Sequence, residues 1–163
     1  MDLIIRRYAE DDAKEAVEIW NHIVEEGTAF PQKDCLTEES GNAFFMGQSF
    51  TGAAFDRESG RMAGLYILHP NNVGRCGHIC NASYAVRWDM RGQHTGEQLV
   101  RHCMETGKRL GYRILQFNAV VKTNTAALHL YEKLGFTQLG TIQGGFQMKD
   151  GRYEDIIPHY IVL

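Results

Sequence analysis

Proline is scarce in this chain, with three residues in 163, and no stretch is a repeat, a low-complexity tract or a recognisable linker. That excludes fibrous and disordered classes and predicts one domain over residues 1–163, long enough to bury a core without a disulfide scaffold. No apolar run approaches the roughly 20 residues of a membrane span. The opening residues show no basic segment followed by an apolar core, so the expectation is a cytoplasmic protein with no membrane partner. Basic residues are not in excess. Lys and Arg number 17 against 20 Asp and Glu, net −3, without a block of like charge, so no nucleic-acid partner is expected. The four cysteines read as reduced thiols. Cys76, His78 and Cys80 alternate and would share one side of a strand, but no second ligand pair with matching spacing follows. We therefore expect a half-buried strand there and no metal.

Apolar periodicity supplies the elements. Leu3 to Tyr8 reads as a strand, and Glu10, Asp11 and Asp12 then open a helix with the stripe Ala13, Ala16, Val17, Trp20, Ile23 and Val24, ended by Gly27. Thr28 to Pro31 is a loop, and Thr37 starts a weaker second helix. Ser49–Asp56 and Arg61–His69 form a hairpin, and Gly77 to Val86 is the next strand. A helix with Gly96, Leu99, Val100, Cys103, Gly107 and Leu110 on one stripe follows, then a near-continuous apolar strand from Arg113 to Val121. Thr123, Asn124 and Thr125 cap a helix carrying Ala127, Leu130, Tyr131 and Leu134. Phe136–Ile142 and Tyr153–Val162 are the last strands, with a glycine-rich hairpin region between them. The order βααβββαβαββ predicts a mixed α/β (α+β) fold, a mostly antiparallel twisted sheet whose two central strands are parallel because a helix joins them.

The stretch from Val86 to Gly96 sits at a strand–turn–helix junction, where the first N–H groups of a helix have no internal partner and the dipole is positive. Glycine there lets backbone approach a phosphate. No Gly-Lys-Ser/Thr follows, so it is not a Walker loop. The spacing of Arg91 and Gly96 after a Tyr-Ala-Val strand resembles the pyrophosphate-binding motif of the GNAT superfamily of N-acetyltransferases, with His94 where a glycine is usual. If that position needs left-handed backbone, a histidine there costs about 1–2 kcal/mol. Length, element order, the turn and the Asn124…Tyr131…Leu134-Gly135-Phe136 segment agree with the same family across essentially the whole chain.

The resemblance implies acetyl-CoA as cosubstrate, lying where the two parallel strands splay apart. Its pantetheine arm would pair with backbone near Ala85 and Val86, and its pyrophosphate would sit on the turn Arg91, Gly92, Gln93, His94, Thr95 and Gly96, with Asn124 and Ala127 on the following helix beside it. Tyr131 matches the tyrosine that protonates the departing CoA thiolate, although its place on an apolar stripe also fits a packing role. For the base, the strand before the motif carries no Glu, which leaves His78 and Glu26. Asn81 and Asn118 are mid-strand asparagines, disfavoured unless their amides are paired, and suggest a polar pocket or a structural network. The segments around Asn81, Asn118 and Asn124 are similar to the branch of fungal L-azetidine-2-carboxylate N-acetyltransferases, and Lys149 to Asp155 is similar to the tail of phosphinothricin and amino-acid N-acetyltransferases. Both imply a small-molecule amine acceptor, an amino acid or analogue, bounded by Asn81, Asn118 and Phe30. A protein or peptide acetyltransferase and a non-catalytic acyl-CoA sensor are the alternatives, and a homodimer is a family expectation.

Overall fold

Eight strands hydrogen-bond in the order β1-β2-β3-β4-β5-β8-β6, with β7 also on β8, in a computed structural model that describes residues 1–163. The strands are β1 (Leu3–Arg7), β2 (Phe50–Asp56), β3 (Met62–Pro70), β4 (Ile79–Val86), β5 (Ile114–Val121), β6 (Thr137–Gln138), β7 (Ile142–Gln147) and β8 (Tyr153–Val162). The helices are α1 (Ala13–Glu26), α2 (Glu38–Met46), α3 (Thr95–Arg109) and α4 (Thr125–Lys133).

Alternation along the strands sorts their side chains into two cores. Leu65, Ile67 and Ala85 pack with the buried stripe of α1 and with Phe45 of α2. Tyr66, Leu68, Cys80 and Ala82 pack with Leu99, Val100 and Cys103 of α3 on the other face. Every residue of the expected α1 stripe is buried, and Gly27 ends that helix in the left-handed region at φ 66°.

The parallel pairing is confined to Ile79 opposite Ile114 and Cys80 opposite Leu115. Beyond it β4 stays on β3 through Val86, while β5 follows β8. The register between β5 and β8 shifts between Phe117 and Val120, so β5 carries a bulge at Asn118–Ala119. A bulge bends a strand and adds twist, which carries β5 away from β4. The edge of β4 from Asn81 onward is therefore without a strand partner on the β5 side.

Two expectations fail. Cys76 and His78 are not on a strand with Cys80, because Gly74–Cys76 is a 3-10 turn closed by Cys76 N–H to the Val73 carbonyl, and extended backbone begins only at Ile79. The expected strand Phe136–Ile142 is two pieces broken near Gly140, and Gly144 and Gly145 lie inside β7 rather than in a hairpin turn. They form a bulge against β8, Gly144 at φ 62° with its N–H on Asp155 Oδ1 at 3.1 Å, and the chain reverses at Met148–Arg152 instead. No helix is long and apolar enough to cross a membrane, and no three His, Cys, Asp or Glu side chains converge as a metal site.

Candidate active site

Arg87 fixes where β4 ends. Its buried guanidinium donates from Nε to the Met62 carbonyl at 2.7 Å, pairs with Glu15 at 2.9 Å and Glu18 at 3.4 Å, and lies over the Trp88 ring. One 3-10 turn (Trp88–Met90) follows, and the buried Thr95 hydroxyl donates to the Met90 carbonyl at 3.3 Å, drawing α3 onto that turn. His94 stands between them in the left-handed region at φ 60°, the only residue other than glycine with positive φ. No side chain caps the first N–H groups of α3. They open instead on a cleft of about 680 Å³ whose walls include Val86, Arg91, Gly92, His94, Thr95, Gly96 and Asn124. A Cβ built on Gly96 would touch only Leu130 at 3.8 Å and Val86 at 3.9 Å, ordinary contacts. Packing therefore tolerates a side chain at this position, and the space a side chain would take belongs to the cleft.

Charge around this cleft is paired. Arg91 makes a two-pronged bond to Glu26, each arm 2.9 Å, and Glu26 is also 3.3 Å from His22, whose ring lies on Trp88. Glu97 takes Lys133 at 2.7 Å and Arg101 at 2.9 Å, and those two cations hold its carboxyl down at about 2.

Where β4 and β5 diverge, a smaller chamber of about 210 Å³ opens, sharing Ala29, Tyr84 and Asn124 with the first cleft. Asn81, Asn118, Phe30, Ala127 and Tyr131 also line it. Asn124 caps α4 by accepting the Ala127 N–H at 3.3 Å, which sets the height of Tyr131 two turns on. The Tyr131 ring is held by Phe117 at 4.5 Å, Phe136 at 5.3 Å and His159 at 5.6 Å between centroids. Burial pushes its hydroxyl well above the usual phenol range, and no hydrogen bond within the chain offsets that. A third cleft of about 580 Å³ lies beyond Phe30 and Pro31, between the α1–α2 loop and the β7–β8 hairpin, where Lys149 Nζ donates to the Glu25 carbonyl at 3.0 Å.

One expected residue is elsewhere. His78 is exposed at the paired start of β4 and lines none of these spaces, because the strands splay only after Cys80. Gln93 is exposed on the turn before α3, and Ala85 lies on β4 with its side chain buried in the α1 core. Glu26 borders the first cleft but not the chamber. Sequence reasoning missed Tyr84, a wall of both spaces, and Asn71, whose side-chain oxygen joins Asn81 and Asn118. Tyr84 is three residues beyond Asn81 on the same strand, an odd offset that alternation assigns to the other face, so the spacing does not announce it. Asn71 sits in a loop with no periodic signal.

A model of the acetyltransferase (GNAT) family matches residues 8–136. The chain is similar to N-acetyltransferase aca1 of Schizosaccharomyces pombe, 32% identical over 100 residues, covering 61% of this chain and 47% of that protein. It spans less than half the length of the curated relatives it matches. The solved structure of a GCN5-related N-acetyltransferase from Kribbella flavida superposes with a TM-score of 0.90 at 30% identity, over 99% of this chain and 98% of that one. A phosphinothricin acetyltransferase from Sinorhizobium meliloti, solved in complex with AcCoA, superposes with a TM-score of 0.91 at 20% identity, over 100% and 89%.

Proposed function

The chain belongs to the GNAT family of acetyltransferases, and on that premise we propose that it moves the acetyl group of acetyl-CoA to the amine of a small amino acid or amino-acid analogue. One observation carries the reading: the chamber at the splay is lined by asparagine amides and by the Tyr131 ring, and it adjoins the cleft at the uncapped start of α3. The residues present suit acetyl-CoA. The free N–H groups of α3 suit a pyrophosphate, and the unpaired edge of β4 suits an amide-bearing arm that adds as a strand would.

The amine nitrogen attacks the thioester carbonyl carbon, the carbon–sulfur bond breaks, and the sulfur leaves with the electron pair while the amine sheds one proton. Tyr131 donates a hydrogen bond and then its proton to that sulfur, and the phenol regains a proton from water, the equivalent of the one the amine sheds; burial favours its neutral, donating form. No carboxylate or imidazole lines the chamber. The amine proton therefore leaves through water toward the adjoining cleft, where Glu26, held on both oxygens by Arg91, is the carboxylate on its path. His78 has no part in this scheme. Asn81 and Asn118 receive the acceptor carboxylate, with Phe30 as the apolar wall.

The open third cleft favours a second reading, a peptide or protein N-terminus entering past Phe30 and Pro31. A homodimer and a cytoplasmic location belong to the first reading. Exposed Leu139, Ile142 and Tyr153 at the β8 end of the sheet offer the apolar surface for a second copy.

Release of CoA thiol tests the proposal across L-azetidine-2-carboxylate, proline, methionine sulfoximine, phosphinothricin, polyamines and short peptides. Turnover of free amino or imino acids supports the first reading, and turnover of peptides alone supports the second. No turnover, with acetyl-CoA still raising the melting temperature, would leave an acyl-CoA sensor.

A further inference from the structure

Asn71 follows the last residue of β3 and lies outside the chamber, yet its side-chain oxygen accepts from both chamber asparagines, from Asn118 Nδ2 at 2.7 Å and from Asn81 Nδ2 at 3.2 Å. Its own place is fixed. Its backbone N–H donates to the Ile79 carbonyl at 2.8 Å, and the Val73 N–H donates to Asn72 Oδ1 at 2.8 Å on the following turn. The contact falls where it is most needed. Backbone pairing between β4 and β5 stops at Cys80 and Leu115, so past that point Asn71 joins the two strands through side chains alone.

Hydrogen-bond accounting then shows what is left for a ligand: one N–H on each of Asn81 and Asn118, and Asn81 Oδ1. A carboxamide oxygen accepts two bonds, and Asn71 Oδ1 has both. Asn118 Oδ1 is taken by Gln116 Nε2 at 3.1 Å. Asn81 and Asn118 each have one N–H committed to Asn71 and one left over. A free asparagine amide can turn over and offer oxygen in place of N–H. Held by one shared acceptor, both amides keep their remaining donors. Two donors on facing strands match the two oxygens of a carboxylate and not the N–H₂ end of a carboxamide.

We propose that Asn71 is the positioning residue for this pair, and that it sets the preference for acceptors carrying a carboxylate beside the amine over uncharged ones. The inference rests on the small amino acid reading above. It predicts that loss of Asn71 acts on acceptor recognition and not on the cofactor.

The test compares L-azetidine-2-carboxylate with its primary carboxamide, using wild type, Asn71→Leu, Asn81→Leu/Asn118→Leu and the triple variant. In wild type the carboxylate should be preferred. Asn71→Leu should raise KM for the carboxylate about tenfold or more, the loss expected for hydrogen bonds to a charged group. KM for the carboxamide and for acetyl-CoA should stay within about twofold, a range too small to reflect a lost hydrogen bond. Adding Asn71→Leu to the asparagine double variant should change the preference no further, since residues acting through one another are not additive. If Asn71→Leu does not fold, Asn71→Ser carries the same comparison. Equal loss on both acceptors, an unchanged ratio, or an additive effect in the triple variant would each overturn the role of Asn71. A wild type that acetylates neither compound removes the amino-acid reading itself, which a wild-type preference with an indifferent Asn71→Leu does not.

Discussion

Around the end of β4, the cleft at α3 takes its distinctive features from main chain: uncapped N–H groups, a left-handed His94 and a glycine that packing does not require. The chamber beside it is walled by side chains, and several of these are also core. Phe30 packs at a tilt against Trp20 with ring centroids 4.4 Å apart, and Tyr131 is clamped by Phe117 and Phe136. Backbone sites are local and keep their geometry when side chains change. Side-chain sites draw on distant segments and share residues with the folding core, so a change there is felt as lost activity, lost stability or both.

Tyr131→Phe should produce the largest effect and break the comparison most cleanly. It removes a hydroxyl with no partner in the chain, so melting should hardly move while kcat falls about 100-fold or more, as expected for loss of a general acid. Thermal melts and single-turnover rates check the two halves, and acetyl-CoA titration shows that cofactor binding is intact. Unchanged kcat would return Tyr131 to a purely packing role.

Phe30→Ala tests the double duty of the acceptor wall. The ring is buried in the α1 core as well as lining the chamber, and its loss should cost about 3 kcal/mol of stability, typical for a buried phenylalanine. Denaturant unfolding measures this, and KM for the acceptor should rise in whatever protein remains folded.

Gly96→Val makes the opposite case. Val86 and Leu130 leave room for a Cβ, so the melting temperature should stay nearly constant while acetyl-CoA binds about tenfold more weakly, about 1.4 kcal/mol, as the branches enter the cleft. Isothermal titration separates that from a folding defect.

The same contrast governs what the amino-acid sequence reveals. The cleft at α3 is legible there because its demands are local: a strand that stops, a turn, a helix start. His94, at a position where glycine is usual, does adopt the left-handed backbone which that place suggests. The four helices, the parallel pair and the mid-strand asparagines are legible for similar reasons. The failures involve partners distant in sequence. Asn71 joins Asn81 to Asn118, which lies 47 residues from it in the chain, and no local pattern announces such a bond. Gly144 and Gly145 read as a turn because glycine pairs usually mark one, yet β8 pairs through Asp155 and converts them to a bulge. Counting along a strand from Gly77 puts His78 on it, whereas the strand begins one residue after His78.

The smallest effect concerns what ties α4 to α3 across the first cleft. Glu97 bridges Lys133 of α4 and Arg101 of α3, and these cations depress its carboxyl from 4.5 to about 2. A carboxylate whose folded pKa is lowered stabilises fully above its unfolded value and loses that stabilisation as pH falls through the folded one. The window is therefore pH 4.5 down to about 2. In melting scans, Glu97→Gln should sit below wild type by a constant small margin above about pH 5 and converge with it toward about pH 2. All three side chains reach solvent, so salt should narrow the margin as well. Phe30 and Tyr131 are held by apolar packing, which has no such window. Acidification through this range should thus loosen α4, a wall of both spaces, before the α1 core, seen as earlier amide exchange in α4 than in the Trp20–Phe30 core. A margin independent of pH would mean that the Glu97 clasp holds by shape and not by charge.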